Sequence, residues 1–171
     1  WYGDERFQLI KNNLEFMDGS VLDIGANIGY FSHKLEGLGF KCCAVEINPQ
    51  EVDVMKRLKK INNNKFEIVE DSIFNFRKGD KLKYDVVLAL YIFHHFLKRK
   101  KTYEDLINLL GRIDCKIMFL GTHNPKEIQV NNAYVNYKPE EFVKFILKNS
   151  SLSDYSLIKE FDDGRRLYKI F

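Results

Sequence analysis

The fold is decided by the string VLDIGANIGYFS, residues 21–32. A short apolar run ends near Asp23, glycines stand at positions 25 and 29, and apolar residues at helical spacing resume at Ile28. Glycine allows a tight turn and a close approach of the backbone to a ligand, and the free N–H groups at the start of a helix face that ligand. The string therefore predicts a strand, a ligand-binding turn and a helix.

Strands and helices alternate along most of the chain. Predicted strands cover residues 20–25, 40–47, 65–69, 84–90 and 115–120, and predicted helices cover residues 4–17, 27–39, 49–61, 103–113 and 139–147, with a short one near 93–97. This alternation is typical of a parallel sheet with helical crossovers. The strings YSLIKEF (155–161) and RRLYKIF (165–171) depart from it, because only Asp162-Asp163-Gly164 separates them, which predicts an antiparallel hairpin.

Composition places the chain among soluble globular domains. It has 171 residues, of which 45% are hydrophobic and 30% charged, and its net charge of +3 is too small to indicate nucleic-acid binding. The absence of a signal peptide and of an apolar run of about 20 residues predicts a cytoplasmic protein without a membrane span. Cys42, Cys43 and Cys115 lie in apolar runs and are predicted to be reduced core residues.

The chain is predicted to form one domain over residues 1–171. It begins at Trp1 rather than Met and ends at Phe171 within an apolar run, which indicates a domain taken from a longer protein. A fused or partner domain is accordingly expected.

The glycine turn does not match the dinucleotide-binding fingerprint. That fingerprint needs glycine at the first, third and sixth positions, and counting from Gly25 the later two are Asn27 and Tyr30. An NAD-linked oxidoreductase is therefore a distant alternative.

The same turn resembles motif I of class I S-adenosylmethionine methyltransferases. Asp23, Gly25, Asn27 and Gly29 supply its acidic residue and alternate small residues, with Asn27 in place of the usual middle glycine. The resemblance covers almost the whole chain, including the closing hairpin. It implies an α/β fold with a Rossmann-like, mostly parallel seven-stranded sheet, flanked by helices and ending in an antiparallel hairpin. It also implies S-adenosylmethionine as the cofactor, its methionine part held by this loop.

The resemblance also implies roles for residues at later strand ends. Glu46 matches the acid that accepts hydrogen bonds from both ribose hydroxyls, which suits a carboxylate. Glu70-Asp71 matches the adenine-binding segment, and LALYIFHHF (88–96) matches the motif at the end of the fourth strand. The implied cofactor-binding residues are Asp23, Gly25, Asn27, Gly29, Glu46, Ile47, Asp71, Ser72 and Leu90.

His94 and His95 are the candidate catalytic residues. Methyl transfer from a sulfonium needs a base only if the acceptor carries a proton, and imidazole titrates near neutrality. Helical spacing does not choose between the two histidines, and their alternative role is to pack or cap a short helix. Acidic metal-ligand motifs are absent nearby, so no metal site is predicted.

Substrate-binding candidates come from three parts of the chain: Tyr2, Arg6, Arg99, Tyr134 and Tyr137. Arg99 belongs to the basic run Lys98–Lys101, which is either a solvated helix start or a rim that attracts an anionic acceptor. The segments Trp1–Arg6 and Thr122–Lys138 are predicted to close over cofactor and acceptor, because the second is too long for a plain connection.

The predicted function is methyl transfer to a hydroxyl or phosphate of a small molecule or glycan end. Trp1-Tyr2-Gly3-Asp4 and the FHH string resemble the methyltransferase domains of bacterial enzymes that modify surface-polysaccharide (O-antigen) chain ends. RNA methylation, with the basic run contacting phosphates, is one alternative. A catalytically silent cofactor-binding module is another.

Overall fold

The computed structural model describes residues 2–124, 126–127 and 132–171. The helices are α1 (Tyr2–Asn12), α2 (Tyr30–Glu36), α3 (Pro49–Ile61), α4 (Phe93–Phe96), α5 (Lys100–Arg112) and α6 (Pro139–Asn149). The strands are β1 (Gly19–Ile24), β2 (Phe40–Glu46), β3 (Glu67–Glu70), β4 (Leu82–Leu90), β5 (Ile113–Thr122), β6 (Tyr155–Glu160) and β7 (Arg166–Ile170). No helix among these residues is long and apolar enough to cross a membrane.

The seven strands form one mixed sheet in the order β3-β2-β1-β4-β5-β7-β6. β1 pairs in parallel with β2 and with β4, and β2 pairs in parallel with β3. β7 pairs antiparallel with both β5 and β6. The predicted fold class is therefore confirmed, including the C-terminal hairpin.

The chain packs as two compact units. The first comprises the chain up to Lys78 together with Tyr84–Leu88, and the second comprises Gly79–Lys83 together with Ala89–Phe171. The first unit buries the apolar side chains of β1 and β2 together with Val52 and Met55 of α3. The second buries β5, β7 and the apolar face of α6. A single domain over residues 1–171 stays a prediction.

Several predicted boundaries differ from the structure, and local hydrogen bonds explain two of them. α1 ends at Asn12 instead of reaching Met17, because the Asn13 side chain donates to the Leu9 carbonyl and closes the helix. β3 begins at Glu67, because the Lys65 N–H donates to the Glu36 carboxylate rather than to a neighbouring strand. α5 begins at Lys100, three residues before the predicted start. All three cysteines are free thiols; Cys42 and Cys43 are buried as predicted, whereas Cys115 is only partly buried.

Candidate functional site

The turn after β1 is built from three residues in the left-handed backbone region. Their φ angles are 68° at Gly25, 53° at Asn27 and 79° at Gly29. Glycine adopts this region freely, and asparagine is among the few other residues that enter it at low cost. Asn27 therefore preserves the backbone path of the usual middle glycine. These positive φ angles also explain why α2 begins only at Tyr30, not at Asn27 as predicted.

Gly29 is also required by the space around it. A Cβ at this position would lie 2.6 Å from Cγ of Met55, whose side chain is fully buried in α3. α2 follows directly at Tyr30. The turn is thus pressed against α3, and a larger residue at position 29 would push the two apart.

Glu46 connects the carboxyl ends of three neighbouring strands. Its Oε2 accepts the Asn27 N–H at 2.9 Å, and its Oε1 accepts the N–H groups of Ile47 and Asn48, each at 2.8 Å. Its carbonyl accepts the Asp71 N–H at 3.2 Å, next to the end of β3. The residues predicted for cofactor binding after β1, β2 and β3 therefore lie together in the first unit.

Asp23 lies beneath this turn rather than on its surface. It is 3% exposed, and its Oδ2 accepts the hydroxyl of Ser32, on α2, at 2.8 Å. Burial raises the pKa of this carboxyl to about 6, the Ser32 hydrogen bonds oppose the rise, and the negative charge of Glu46 adds to it. Asp23 thus joins the end of β1 to α2 from inside.

The remaining predicted cofactor residues are more exposed. Ile47 is 67% exposed directly after Glu46. Asp71 accepts the Ser72 N–H and the Asn75 side chain, which closes a turn after β3. Leu90, by contrast, ends β4 in the second unit.

In the second unit, β4 leads into the histidines through a strained residue. Tyr91 has a φ of 59°, and its N–H donates to the carbonyl of Gly121 in β5 at 3.1 Å. A Cβ on Gly121 would lie 2.9 Å from the Tyr91 nitrogen. The close contact with β5 fixes the direction in which the chain enters α4.

The two candidate catalytic histidines occupy different environments on α4. His94 is 6% exposed, whereas His95 is exposed, and their ring centroids are 4.0 Å apart. Burial, followed by the neighbouring His95, His123, Lys98 and Arg165, lowers the pKa of His94 to about 3. Burial and Lys98 also lower the pKa of His95, while the Glu127 carboxylate opposes that change.

The predicted substrate residues are spread over both units. Tyr2 and Arg6 lie on α1 in the first unit, and Arg99 is exposed immediately before α5 in the second. Tyr134 is 50% exposed, and the Tyr137 hydroxyl is 3.2 Å from that of Tyr103. The predicted closing segments are only partly covered, because residues 1, 125 and 128–131 lie outside the described residues.

The basic run divides into two kinds of residue. Lys100 and Lys101 form ion pairs with Glu104 and Asp105 one turn along α5, as a solvated helix start does. Lys98, by contrast, acts electrostatically on both His94 and His95.

Two further residues next to these histidines, Arg165 and His123, were not among the predicted site residues. Arg165 lies in the turn between β6 and β7. Its guanidinium carbon is 5.5 Å from the centroid of the Tyr91 ring, and its side chain forms an ion pair with Glu127. His123 follows β5, and its Nε2 is 3.0 Å from Oδ1 of Asn136. The position of His123 three residues after the predicted strand 115–120 was the signal that could have identified it.

A family model described as a methyltransferase domain matches residues 22–112, more than half of the chain. This match begins in β1 and includes every residue of the turn and Glu46. A search of curated proteins found no match.

Solved structures with a similar fold include three named methyltransferases. The bifunctional kinase-methyltransferase WbdD is 20% identical with a TM-score of 0.78, over 98% of this chain and 39% of that one. N-methyltransferase NodS from Bradyrhizobium japonicum WM9 is 15% identical with a TM-score of 0.73, over 99% and 95%. Magnesium protoporphyrin IX methyltransferase (ChlM) from Synechocystis PCC 6803, solved with bound SAM, is 18% identical with a TM-score of 0.69, over 99% and 77%. The chain thus spans about two fifths of WbdD.

Proposed function

The chain belongs to the methyltransferase-domain family, and we propose that it transfers the methyl group of S-adenosylmethionine to a hydroxyl or phosphate of a small molecule or glycan end. The predicted family, enzyme class and cofactor are confirmed by this membership. The acceptor and the roles of single residues belong to the proposal.

The observation that carries the proposal is the meeting of three strand ends at Glu46. Oε2 of Glu46 accepts one hydrogen bond in the free protein, from the Asn27 N–H. A carboxylate oxygen can accept a second hydrogen bond, so Oε2 can still accept one from a ribose hydroxyl. The left-handed turn brings backbone close to the same carboxylate, where the methionine part would lie. Ile47 follows Glu46 directly. Asp71, whose N–H donates to the Glu46 carbonyl, belongs to the segment that the resemblance assigns to the adenine.

The cofactor supplies an already activated methyl group. The protein therefore mainly orients the acceptor, excludes water and, for a protonated acceptor, removes a proton. His95 is our candidate for that last step, because its ring is exposed whereas that of His94 is buried. Lys98 and Arg165 would favour an acceptor with negative charge near the histidines.

The glycan-end acceptor is supported by the resemblance of short strings to enzymes that modify O-antigen chain ends. The RNA alternative is less well supported, because Lys100 and Lys101 are already paired with acids on α5. A catalytically silent module is the alternative from another class, and only an activity measurement separates it from an enzyme.

The test has a binding step and a transfer step. Calorimetric titration with S-adenosylmethionine, its demethylated product and NAD should show binding of the first two only. Transfer of a labelled methyl group is then measured to methyl glycosides, sugar phosphates, primary amines and RNA. His95→Asn should lower transfer to a hydroxyl roughly 10²- to 10⁴-fold while transfer to a phosphate changes little. Preferred transfer to amines or RNA, unaffected by His95→Asn, would contradict the proposed acceptor.

A further inference from the structure

We propose that His123 is a positioning residue of the acceptor site: held by Asn136, it fixes the ring of His94, so that the two buried rings confine proton uptake to the exposed His95. This inference rests on the proposed function. All the residues that carry it lie in the second unit.

His123 is held on two sides. It is 2% exposed, its Nε2 lies 3.0 Å from Oδ1 of Asn136, and its ring packs edge-on against Phe142 with centroids 6.2 Å apart. A carboxamide oxygen only accepts hydrogen bonds, so Nε2 carries a hydrogen and donates it. Asn136 thereby fixes both the tautomer and the orientation of the ring.

Two ring nitrogens in this cluster are buried without a hydrogen-bond partner. They are Nδ1 of His94 and Nδ1 of His123, and no donor or acceptor among the described residues reaches either. Buried polar atoms without a partner are uncommon in folded proteins, so two of them in one cluster need an explanation.

The three rings form a series that runs from the surface inward. The centroid distances are 4.0 Å from His95 to His94 and 5.1 Å from His94 to His123, and the His94 and His123 planes are 31° apart. Exposure falls along the same series, from the exposed His95 to 6% at His94 and 2% at His123. The ring of His94 thus neighbours both other imidazoles.

A proton on His94 would be unfavourable in this position. The groups that act on it are His95, His123, Lys98 and Arg165, all of which disfavour a positive charge, and burial removes water. His95 differs, because it is exposed and feels the Glu127 carboxylate as well as Lys98 and His123. A proton taken from an acceptor is therefore stabilised on His95 rather than on His94.

The test is NMR of ring-labelled histidines, which the chain suits because it has only four. His123→Phe keeps an aromatic ring but removes both nitrogens. Since His123 acts to lower the pKa of both His94 and His95, its loss should raise the pKa of His95 and shift the His94 signals. Unchanged titration of both histidines in folded His123→Phe would overturn the proposal.

The matched control is His33→Phe. His33, on α2, also has a buried ring nitrogen without a partner among the described residues, and its Nδ1 lies 2.8 Å from Oδ1 of Asn64. This variant should leave the titration of His94 and His95 unchanged, and an equal effect from it would overturn the proposal.

Asn136→Ala provides a second test if His123→Phe does not fold, since Asn136 is exposed. In the parent, His123 should show a single tautomer with hydrogen on Nε2. In Asn136→Ala it should show a mixture, and an unchanged tautomer would count against the proposal. Calorimetry with S-adenosylmethionine separates the two claims: a parent that does not bind it refutes the proposed function, whereas the NMR result alone decides the role of His123.

Discussion

At the scale of single residues, Asn27 shows how a departure from a sequence motif can preserve its structure. The motif usually has glycine at this position, and only the φ of 53° shows why asparagine serves. Its side chain is exposed, and the contact with Glu46 uses its backbone N–H. The residue type shows that Asn27 could adopt the left-handed region, but the φ angle itself depends on the packing of the turn.

Asn27→Val should therefore weaken cofactor binding while Asn27→Gly keeps it. A β-branched residue in the left-handed region costs about 1–2 kcal/mol, which corresponds to roughly tenfold weaker binding if the turn distorts. Asn63 has the same φ of 53° in the loop after α3, so Asn63→Val is the matched control. Both valine variants should lose stability in urea denaturation, but only Asn27→Val should bind S-adenosylmethionine more weakly. Equal affinities for the two would refute this explanation.

Asp23 predicts an unusual dependence of stability on pH. Its carboxyl has a pKa of about 6 when folded, against an ordinary value of 3.8. The folded protein thus binds the proton more tightly than the unfolded chain, so this residue lowers the free energy of unfolding as pH rises from about 4 to above 6. Over this pH range, the free energy of unfolding should fall by about 3 kcal/mol because of Asp23.

Asp23→Asn should remove this loss and keep a polar partner for Ser32. The variant should match the parent near pH 4 and exceed it in unfolding free energy by up to about 3 kcal/mol at pH 8, measured by urea denaturation. Asp53→Asn, on the exposed face of α3, is the control for replacing an acid by its amide. A constant difference between Asp23→Asn and the parent at every pH would contradict the burial argument.

At the scale of elements, most strands and helices follow from the sequence because their apolar periodicity is set by the buried faces. The exceptions arise where a side chain competes with the backbone, as Glu36 does for the N–H of Lys65. The path from β4 into α4 was not predictable, because the left-handed Tyr91 depends on its contact with Gly121. His123 was missed because its partner Asn136 lies outside any periodic segment.

Gly121→Ala should destabilise the second unit. Its Cβ would lie 2.9 Å from the Tyr91 nitrogen and 3.0 Å from Cε2 of that ring, so β5 or the start of α4 must move. Overpacking of this kind costs about 1–3 kcal/mol in the free energy of unfolding.

Gly111→Ala is the control, because a Cβ at position 111 of α5 meets no atom within 4 Å. It should stabilise the protein by about 0.5–1 kcal/mol through helix propensity. Thermal unfolding of both variants decides the matter, and a Gly121→Ala protein as stable as the parent would show that the contact is loose.

At the scale of the whole molecule, the sequence predicts the fold, the family and the cofactor better than it predicts the acceptor. Most of the predicted cofactor residues adjoin the ends of β1, β2 and β3, and their order along the chain is visible in the sequence. Two groups near His94, His123 after β5 and Arg165 in the β6–β7 turn, come from distant parts of the chain, so their meeting depends on tertiary packing.

The central claim is that Glu46 holds S-adenosylmethionine at the meeting point of three strand ends. Calorimetric titration of S-adenosylmethionine into the parent, Glu46→Ala and the control Glu67→Ala tests it, since Glu67 is an exposed acid of β3 paired with Arg77. Loss of hydrogen bonds to a charged acceptor costs about 1.5–3 kcal/mol. Glu46→Ala should therefore bind the cofactor about tenfold to hundredfold more weakly, and Glu67→Ala should match the parent. A folded Glu46→Ala protein with the affinity of the parent would contradict the assignment.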